Sequence, residues 1–160
     1  MLTAVLLEDA LWAEAPEPRR QEWRLSIREL LDEHSFAIEA SPLIARVFLR
    51  DDRVDVRWET PEKGVVAETP IERAELDRVL SPYLAACREL MALANANDPR
   101  LGPLDQAKKN AHDEGARELV RLFTGVGPSH TTARRLFTLF VTLLVDTSTL
   151  AVLRRPHESD

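Results

Sequence analysis

The chain opens on a continuous apolar run, Thr3-Ala4-Val5-Leu6-Leu7, which reads as a short strand. After Pro16 and Pro18 the rhythm changes. Trp23, Ile27, Leu30, Leu31 and His34 recur at i, i+4, i+7, i+8 and i+11, the spacing of one helix face, and predict a helix near residues 18–33. From Phe36 to Thr69 the period becomes two. Val54, Val56 and Trp58 alternate with Asp55, Arg57 and Glu59, as in a half-buried strand. The run from Leu43 to Arg50 precedes it across a turn at Asp51-Asp52, and a second turn, Thr60 to Gly64, leads into Val65-Val66-Ala67-Glu68-Thr69. Gly64 can supply the positive φ such a turn needs. Three or four antiparallel strands in hairpin order follow from this pattern, over about residues 36–69.

From residue 70 the pattern is helical. Thr69-Pro70-Ile71-Glu72 has the form of a capping box with proline at the first helical position. Leu76, Val79, Leu80, Tyr83, Leu84, Cys87, Leu90, Met91 and Ala94 then form a long apolar stripe, interrupted at Ser81-Pro82. Proline lacks an N–H and clashes with the preceding turn, so a kink is expected there, or a restart capped by Ser81. Asn95 to Pro103 reads as a loop, Leu104–Phe123 as the next helix, and Gly125 to His130 as its break. Thr131 or Thr132 would cap a last helix from Ala133 to at least Val145. That helix is apolar nearly all round, and residues 136–153 approach the length of a membrane span. Asp146 and several Thr and Ser residues interrupt the run, which at this length points to a central core helix. The expected fold is α+β: an N-terminal strand and helix, an antiparallel hairpin sheet, then a three-helix half with the last helix central. Residues 1–155 are expected to form one domain, with 156–160 a short flexible tail.

Composition narrows the class. The chain is 44% hydrophobic and 30% charged, ordinary for a folded domain and too apolar for wholesale disorder. Cys87 is the one cysteine, so no intrachain disulfide can form. That fits a reducing compartment. The N-terminal stretch has no basic region and meets acids at Glu8 and Asp9, unlike a secretory signal, so a cytoplasmic location is expected. Net charge is −6, against a nucleic-acid binder. The charge is uneven: residues 1–40 hold nine acids against four arginines, and residues 100–136 hold seven Lys/Arg against four acids.

The segment Ala107 to Ala116 concentrates the candidate chemistry, with Lys108-Lys109 followed by His112-Asp113-Glu114-Gly115. At about 100° per residue, Leu104, Ala111, Gly115, Leu119 and Leu122 point one way. Lys108 and His112 fall within the same broad sector. Asp113 points away, expected to meet water and pair with Lys109 and Arg117, and Glu114 lies on the other flank. His112 and Glu114, at i and i+2, cannot grip one metal from a continuous helix, and no metal-ligand spacing occurs elsewhere. No catalytic residue, metal or cofactor is assigned. Cys87 sits in an apolar stripe and reads as core. Gly115 in mid-helix costs about 1 kcal/mol relative to Ala, which suggests close packing by the last helix.

The polar stripe on that last helix is Arg134, Arg135, Thr138 and Thr142. It supports two readings. In one, Arg134 or Arg135 pairs with Glu114 or Glu118 in a structural network. In the other, Lys108, His112, Arg134 and Arg135 converge on an anion, since Arg and Lys suit phosphate or carboxylate.

Lys108-Lys109-x-x-His112-Asp113-Glu114-Gly115, the stretch around Tyr83 and Cys87, and Thr132-Ala133-Arg134-Arg135-Leu136-Phe137-Thr138-Leu139 together resemble a bacterial, chiefly alphaproteobacterial group: uncharacterised protein family number two hundred and sixty-two. Its pattern looks like Arg-Arg-x-x-His-Asn-Glu-Gly followed by Thr-Ala-Arg-Arg-Leu-Phe-Thr-Leu. Asp32-Glu33-His34-Ser35-Phe36 resembles its first-helix ending. The resemblance covers roughly residues 1–145. It implies a bacterial, cytoplasmic protein, a long helix beginning near Ala74, and no particular activity.

The resulting expectation is a non-catalytic binding or interaction module with a protein partner. The alternative is an enzyme or sensor that binds a phosphorylated or carboxylated small molecule at Lys108, His112, Arg134 and Arg135. Weak nucleic-acid binding stands third. Phe48 is expected on the outer face of the sheet, and one ring makes no stacking platform.

Overall fold

A computed structural model describes residues 1–93 and 97–146. Ala94 at the end of the apolar stripe, residues 147–153 of the last apolar run and the tail 156–160 lie outside the described residues. The element order is β1 (Leu2–Leu7), α1 (Asp9–Glu14), α2 (Glu17–Asp32), β2 (Leu43–Leu49), β3 (Arg53–Thr60), β4 (Gly64–Glu72), α3 (Arg73–Ala92), α4 (Leu101–Leu122) and α5 (His130–Leu144). This is an α+β fold.

The sheet runs β1-β2-β3-β4. β2, β3 and β4 are antiparallel neighbours in hairpin order, and β1 joins β2 in parallel, so the sheet is mixed. A parallel pair needs a crossover, and α1 with α2 provides it. The short helix α1 was not expected from the pattern. Alternation assigns one face to the core: Leu43, Ala45, Val47, Val54, Val56, Trp58, Thr69 and Ile71 are buried, while Arg46, Arg53, Arg57 and Glu68 are exposed. Among the described residues the helices cover only the inward face. α2 packs under β1 and against α5, α5 against α4, α4 against α3, and α3 under β3 and β4.

Several local expectations are corrected. Thr69-Pro70-Ile71-Glu72 is the end of β4, because Thr69 and Ile71 continue its buried alternation. Pro70 is tolerated there because β4 is an edge strand. α3 therefore starts at Arg73, next to the start that the family resemblance implies. It also runs through Pro82 without a restart. α4 begins at Leu101, three residues early. The cap of α5 is Ser129, whose hydroxyl accepts from the Thr132 backbone N–H.

α5 is the central helix. Ala133, Leu136, Phe137, Leu139, Phe140, Val141 and Leu143 are all buried, and Trp23 of α2 donates its indole N–H to the Thr142 carbonyl at 2.8 Å. Among the described residues no helix is long and apolar enough to cross a membrane. The loop before α5 is clamped by the segment after α2. Ala37 N–H donates to Gly127 O at 2.7 Å, Ile38 N–H to Val126 O at 3.1 Å and Ser129 N–H to Ser35 O at 2.9 Å. Ser35 N–H donates to Thr132 Oγ1 at 2.7 Å. Gly127 has φ +60, and a Cβ there would stand 2.6 Å from Ala37 Cβ, so only glycine suits that crossing.

Candidate functional site

α4 and α5 meet at Gly115. A Cβ at Gly115 would fall 2.1 Å from Phe137 Cε2, so the missing side chain is what lets the Phe137 ring lie on the α4 backbone. One turn back along α4, His112 packs against that ring at 4.8 Å between centroids and against Tyr83 of α3 at 5.3 Å. Tyr83 meets Phe137 edge-on at 5.3 Å. The three rings join α3, α4 and α5 at one point.

The imidazole is polarised in a defined way. Thr138 Oγ1 donates to the Arg134 carbonyl at 3.2 Å, so it accepts from His112 Nε2–H at 3.0 Å. This places the proton on Nε2. His112 Nδ1 is then an acceptor, buried and without a hydrogen-bond partner among the described residues. Burial, with the Arg134 charge second, pushes His112 down from its ordinary 6.5 to about 4; Lys108 and His130 act the same way and Asp113 opposes them. His112 is therefore a neutral imidazole at physiological pH, and not a group that exchanges a proton near neutrality.

Asp113 stays partly open to water, its side chain 38% exposed, but its partners are not Lys109 and Arg117. It crosses to α5, where it accepts from Arg134 and lies 3.3 Å from His130 Nε2. Partial burial pushes its pKa up, but the hydrogen bonds and charges of His130 and Arg134 outweigh this and hold the carboxyl below the usual range. Lys109 instead pairs with Asp105 at 3.2 Å, and Arg117 with Glu114 at 2.8 Å. The reason lies in Ala116, which is fully buried. It extends the inward face of α4 toward 116, and Asp113 lies one turn from it on the flank beside α5.

The four residues expected around an anion are only partly brought together. Lys108 is 3% exposed, and its charge, like that of Arg134, acts on His112. Arg135 turns to the end of α2, 3.6 Å from Glu33. The expected Arg134/Arg135 to Glu114/Glu118 pairing is also rearranged: Glu118 pairs with Arg121 and with Arg78 of α3. Sequence reasoning missed His130 and Thr138 as members of this cluster. The signal was present, because His130, Arg134 and Thr138 are spaced by four and share one flank of α5.

Cys87 is fully buried, and among the described residues no group of three or more His, Cys, Asp or Glu is placed to hold a metal ion. A separate cavity of about 430 Å³ at the end of α2 is lined by residues including Leu31, Asp32, His34, Phe36 and Leu43. His34 there is a bracket: its Nδ1–H donates to Leu30 O, and Nε2 accepts from Leu2 N–H, both at 2.9 Å.

Comparison with known proteins places this geometry in context. A family model described as Uncharacterised protein family (UPF0262) matches residues 1–146. A UPF0262 protein of Ruegeria pomeroyi is 30% identical over 139 residues, covering 80% of this chain and 86% of the relative. One from Cereibacter sphaeroides strain KD131 is 31% identical over 135 residues, covering 77% and 84%. One from Rhizobium etli strain CIAT 652 is 27% identical over 147 residues, covering 89% and 93%. No solved structure matches.

Proposed function

This chain belongs to the uncharacterised protein family UPF0262, and from its own geometry we propose that it is a non-catalytic binding module that takes a protein partner on the open face of its sheet. The observation that carries this is the outward surface of β2, β3 and β4. Phe48 lies there between two guanidinium groups, Arg57 at 4.7 Å and Arg50 at 5.3 Å from the ring centre. Each arginine of the face is matched by a carboxylate: Arg46 with Glu59, Arg50 with Glu8, Arg53 with Asp55 and Arg57 with Glu68. Four guanidinium groups and four carboxylates alternate around a central aromatic ring, and Glu72 opposite Arg53 adds a further negative charge. This arrangement suits a protein surface of interleaved charges, where complementarity gives specificity. A polyanion would meet at least one carboxylate for every arginine, which does not favour nucleic acid.

The test is capture from an alphaproteobacterial lysate with the full chain as bait. Wild type is compared with Phe48→Ser and Arg57→Glu on the open face and with Arg88→Glu on the exposed side of α3. A stoichiometric protein retained by wild type and Arg88→Glu but lost with both face variants supports the reading. No such protein, or one that all four baits retain equally, overturns it.

A second reading rests on the electropositive setting of His112, on which Lys108, Arg134 and His130 all act. In it, Lys108, His112 and Arg134 hold a phosphorylated or carboxylated small molecule, with Arg135 committed to Glu33. Thermal shift with inorganic phosphate and with malonate tests this, since binding raises native stability. A shift at millimolar anion that Arg134→Ala removes supports it, and no shift removes it.

A further inference from the structure

The cavity of about 430 Å³ at the end of α2 takes no part in either reading above, and none of its lining residues belongs to the Phe48 face. Its size is that of a small-molecule site. One side is apolar: Leu31, Phe36, Ile38 and Leu43 line it. Its walls are fixed by hydrogen bonds. His34 ties the end of α2 to Leu2 of β1. Ser35, Ala37 and Ile38 are clamped to the loop before α5. Leu43 N–H donates to Met1 O at 2.8 Å, and Phe36 meets Trp58 edge-on at 5.2 Å between centroids. Walls already in place lose little freedom when a ligand enters.

The other side carries negative charge where a helix favours the opposite. Asp32 is the last residue of α2 and Glu33 is its C-cap, and both line the cavity. The C-terminus of a helix is the negative end of its dipole and favours cations, yet the last turn of α2 has no basic residue. Glu33 is met by Arg135 at 3.6 Å. The Met1 ammonium donates to the Ala40 carbonyl at 3.1 Å. The Asp32 carboxylate has no hydrogen bond or ion pair among the described residues, Arg28 one turn back included. An unmatched carboxylate at the negative end of a 16-residue helix therefore stands beside an apolar wall and an aromatic ring.

We propose that this cavity binds a small organic amine in its ammonium form, with the hydrocarbon body on Leu31, Ile38 and Leu43 and the charge between the Asp32 carboxylate and the Phe36 ring. The ammonium supplies the cation that the helix end lacks, and the ring adds a cation–π contact. A carboxylate or phosphate ligand is repelled by Asp32. A metal ion fits poorly: it gains nothing from the apolar wall, and among the described residues no three His, Cys, Asp or Glu are placed to hold one.

The experiment is amide NMR of the isotopically labelled full chain, titrated with n-hexylammonium. The comparison probes are n-hexanol, with the same body and no charge, and hexanoate, with the opposite charge. A ligand this small binds at roughly millimolar strength, so titrations run to about 20 mM. Saturable shifts at residues 31–38 and at Leu43 are expected with hexylammonium, with hexanol and hexanoate at least about tenfold weaker. Asp32→Asn changes an exposed side chain, so the fold should persist while hexylammonium binding weakens about tenfold. Phe36→Leu keeps the wall apolar and should weaken binding about two- to fivefold. Absence of saturable shifts with hexylammonium overturns the proposal. So does hexanol binding as tightly as the ammonium, binding that Asp32→Asn leaves unchanged, or shifts that fall away from the cavity.

Discussion

The neutral, buried state of His112 makes a definite prediction about acid stability. In the unfolded chain this imidazole takes up a proton near its ordinary 6.5, whereas in the native seam it does so only at about 4. The native pKa is depressed, so between these values the unfolded chain binds the proton and the native protein does not. Stability is therefore complete above pH 6.5 and falls as the pH drops toward 4. At about 1.4 kcal/mol per pH unit, the full window is worth roughly 3 kcal/mol. That is a large share of the ~5–15 kcal/mol that holds a domain together. Asp113 does not confuse the measurement. Its carboxyl is held below an ordinary 3.8, so the stability it contributes is lost only at lower pH. The assay is urea unfolding of wild type and His112→Gln at intervals from pH 7.5 to 4.5. Glutamine keeps an N–H for Thr138 and cannot titrate. Wild type should lose roughly 2 to 3 kcal/mol more than the variant across that range. Imidazole NMR should show His112 as the Nε2–H tautomer, unchanged down to about pH 5, one unit above its native pKa. Parallel stability curves, or titration of His112 near 6.5, would refute the account.

Two further substitutions probe the framework around the seam. Gly115→Ala gains about 1 kcal/mol of helix propensity but drives a methyl into Phe137, whose ring is fully buried and wedged between Tyr83 and His112. A net loss of about 1–3 kcal/mol is expected in denaturant unfolding, and unchanged or raised stability would mean that α4 and α5 do not touch there. Ser129→Ala removes the cap of α5 and should cost about 1 kcal/mol. Thr132→Val should cost more, about 1–3 kcal/mol, because it strands the Ser35 N–H as well. Amide exchange at Ser35 should accelerate in Thr132→Val, and protection equal to wild type would count against the clamp.

Periodicity by itself determined a good deal of this protein. The alternation of Val54, Val56 and Trp58 against Asp55, Arg57 and Glu59 named the buried and open faces of β3, and the apolar girth of α5 named the central helix. These follow because burial selects one face of a regular element, and the element's repeat carries that face into the chain. Where a local motif competed with the repeat, the repeat won: Thr69-Pro70-Ile71-Glu72 looks like a helix start, yet the buried alternation runs through it. The tertiary structure decided the partners. Nothing local says that β1 lies parallel to β2, because a parallel neighbour depends on where a crossover returns the chain. Nor could a helical wheel send Asp113 to Arg134 rather than to Lys109. All three lie within reach of a helix flank, and the choice was made by the burial of Ala116 and the closeness that Gly115 permits. The same holds for His112. The sequence placed it on an inward flank, but only the packing of Tyr83, Phe137 and Thr138 around it decided that it is a neutral, oriented imidazole. Charge and basicity are set by the neighbours that folding assembles, and those come from distant parts of the chain.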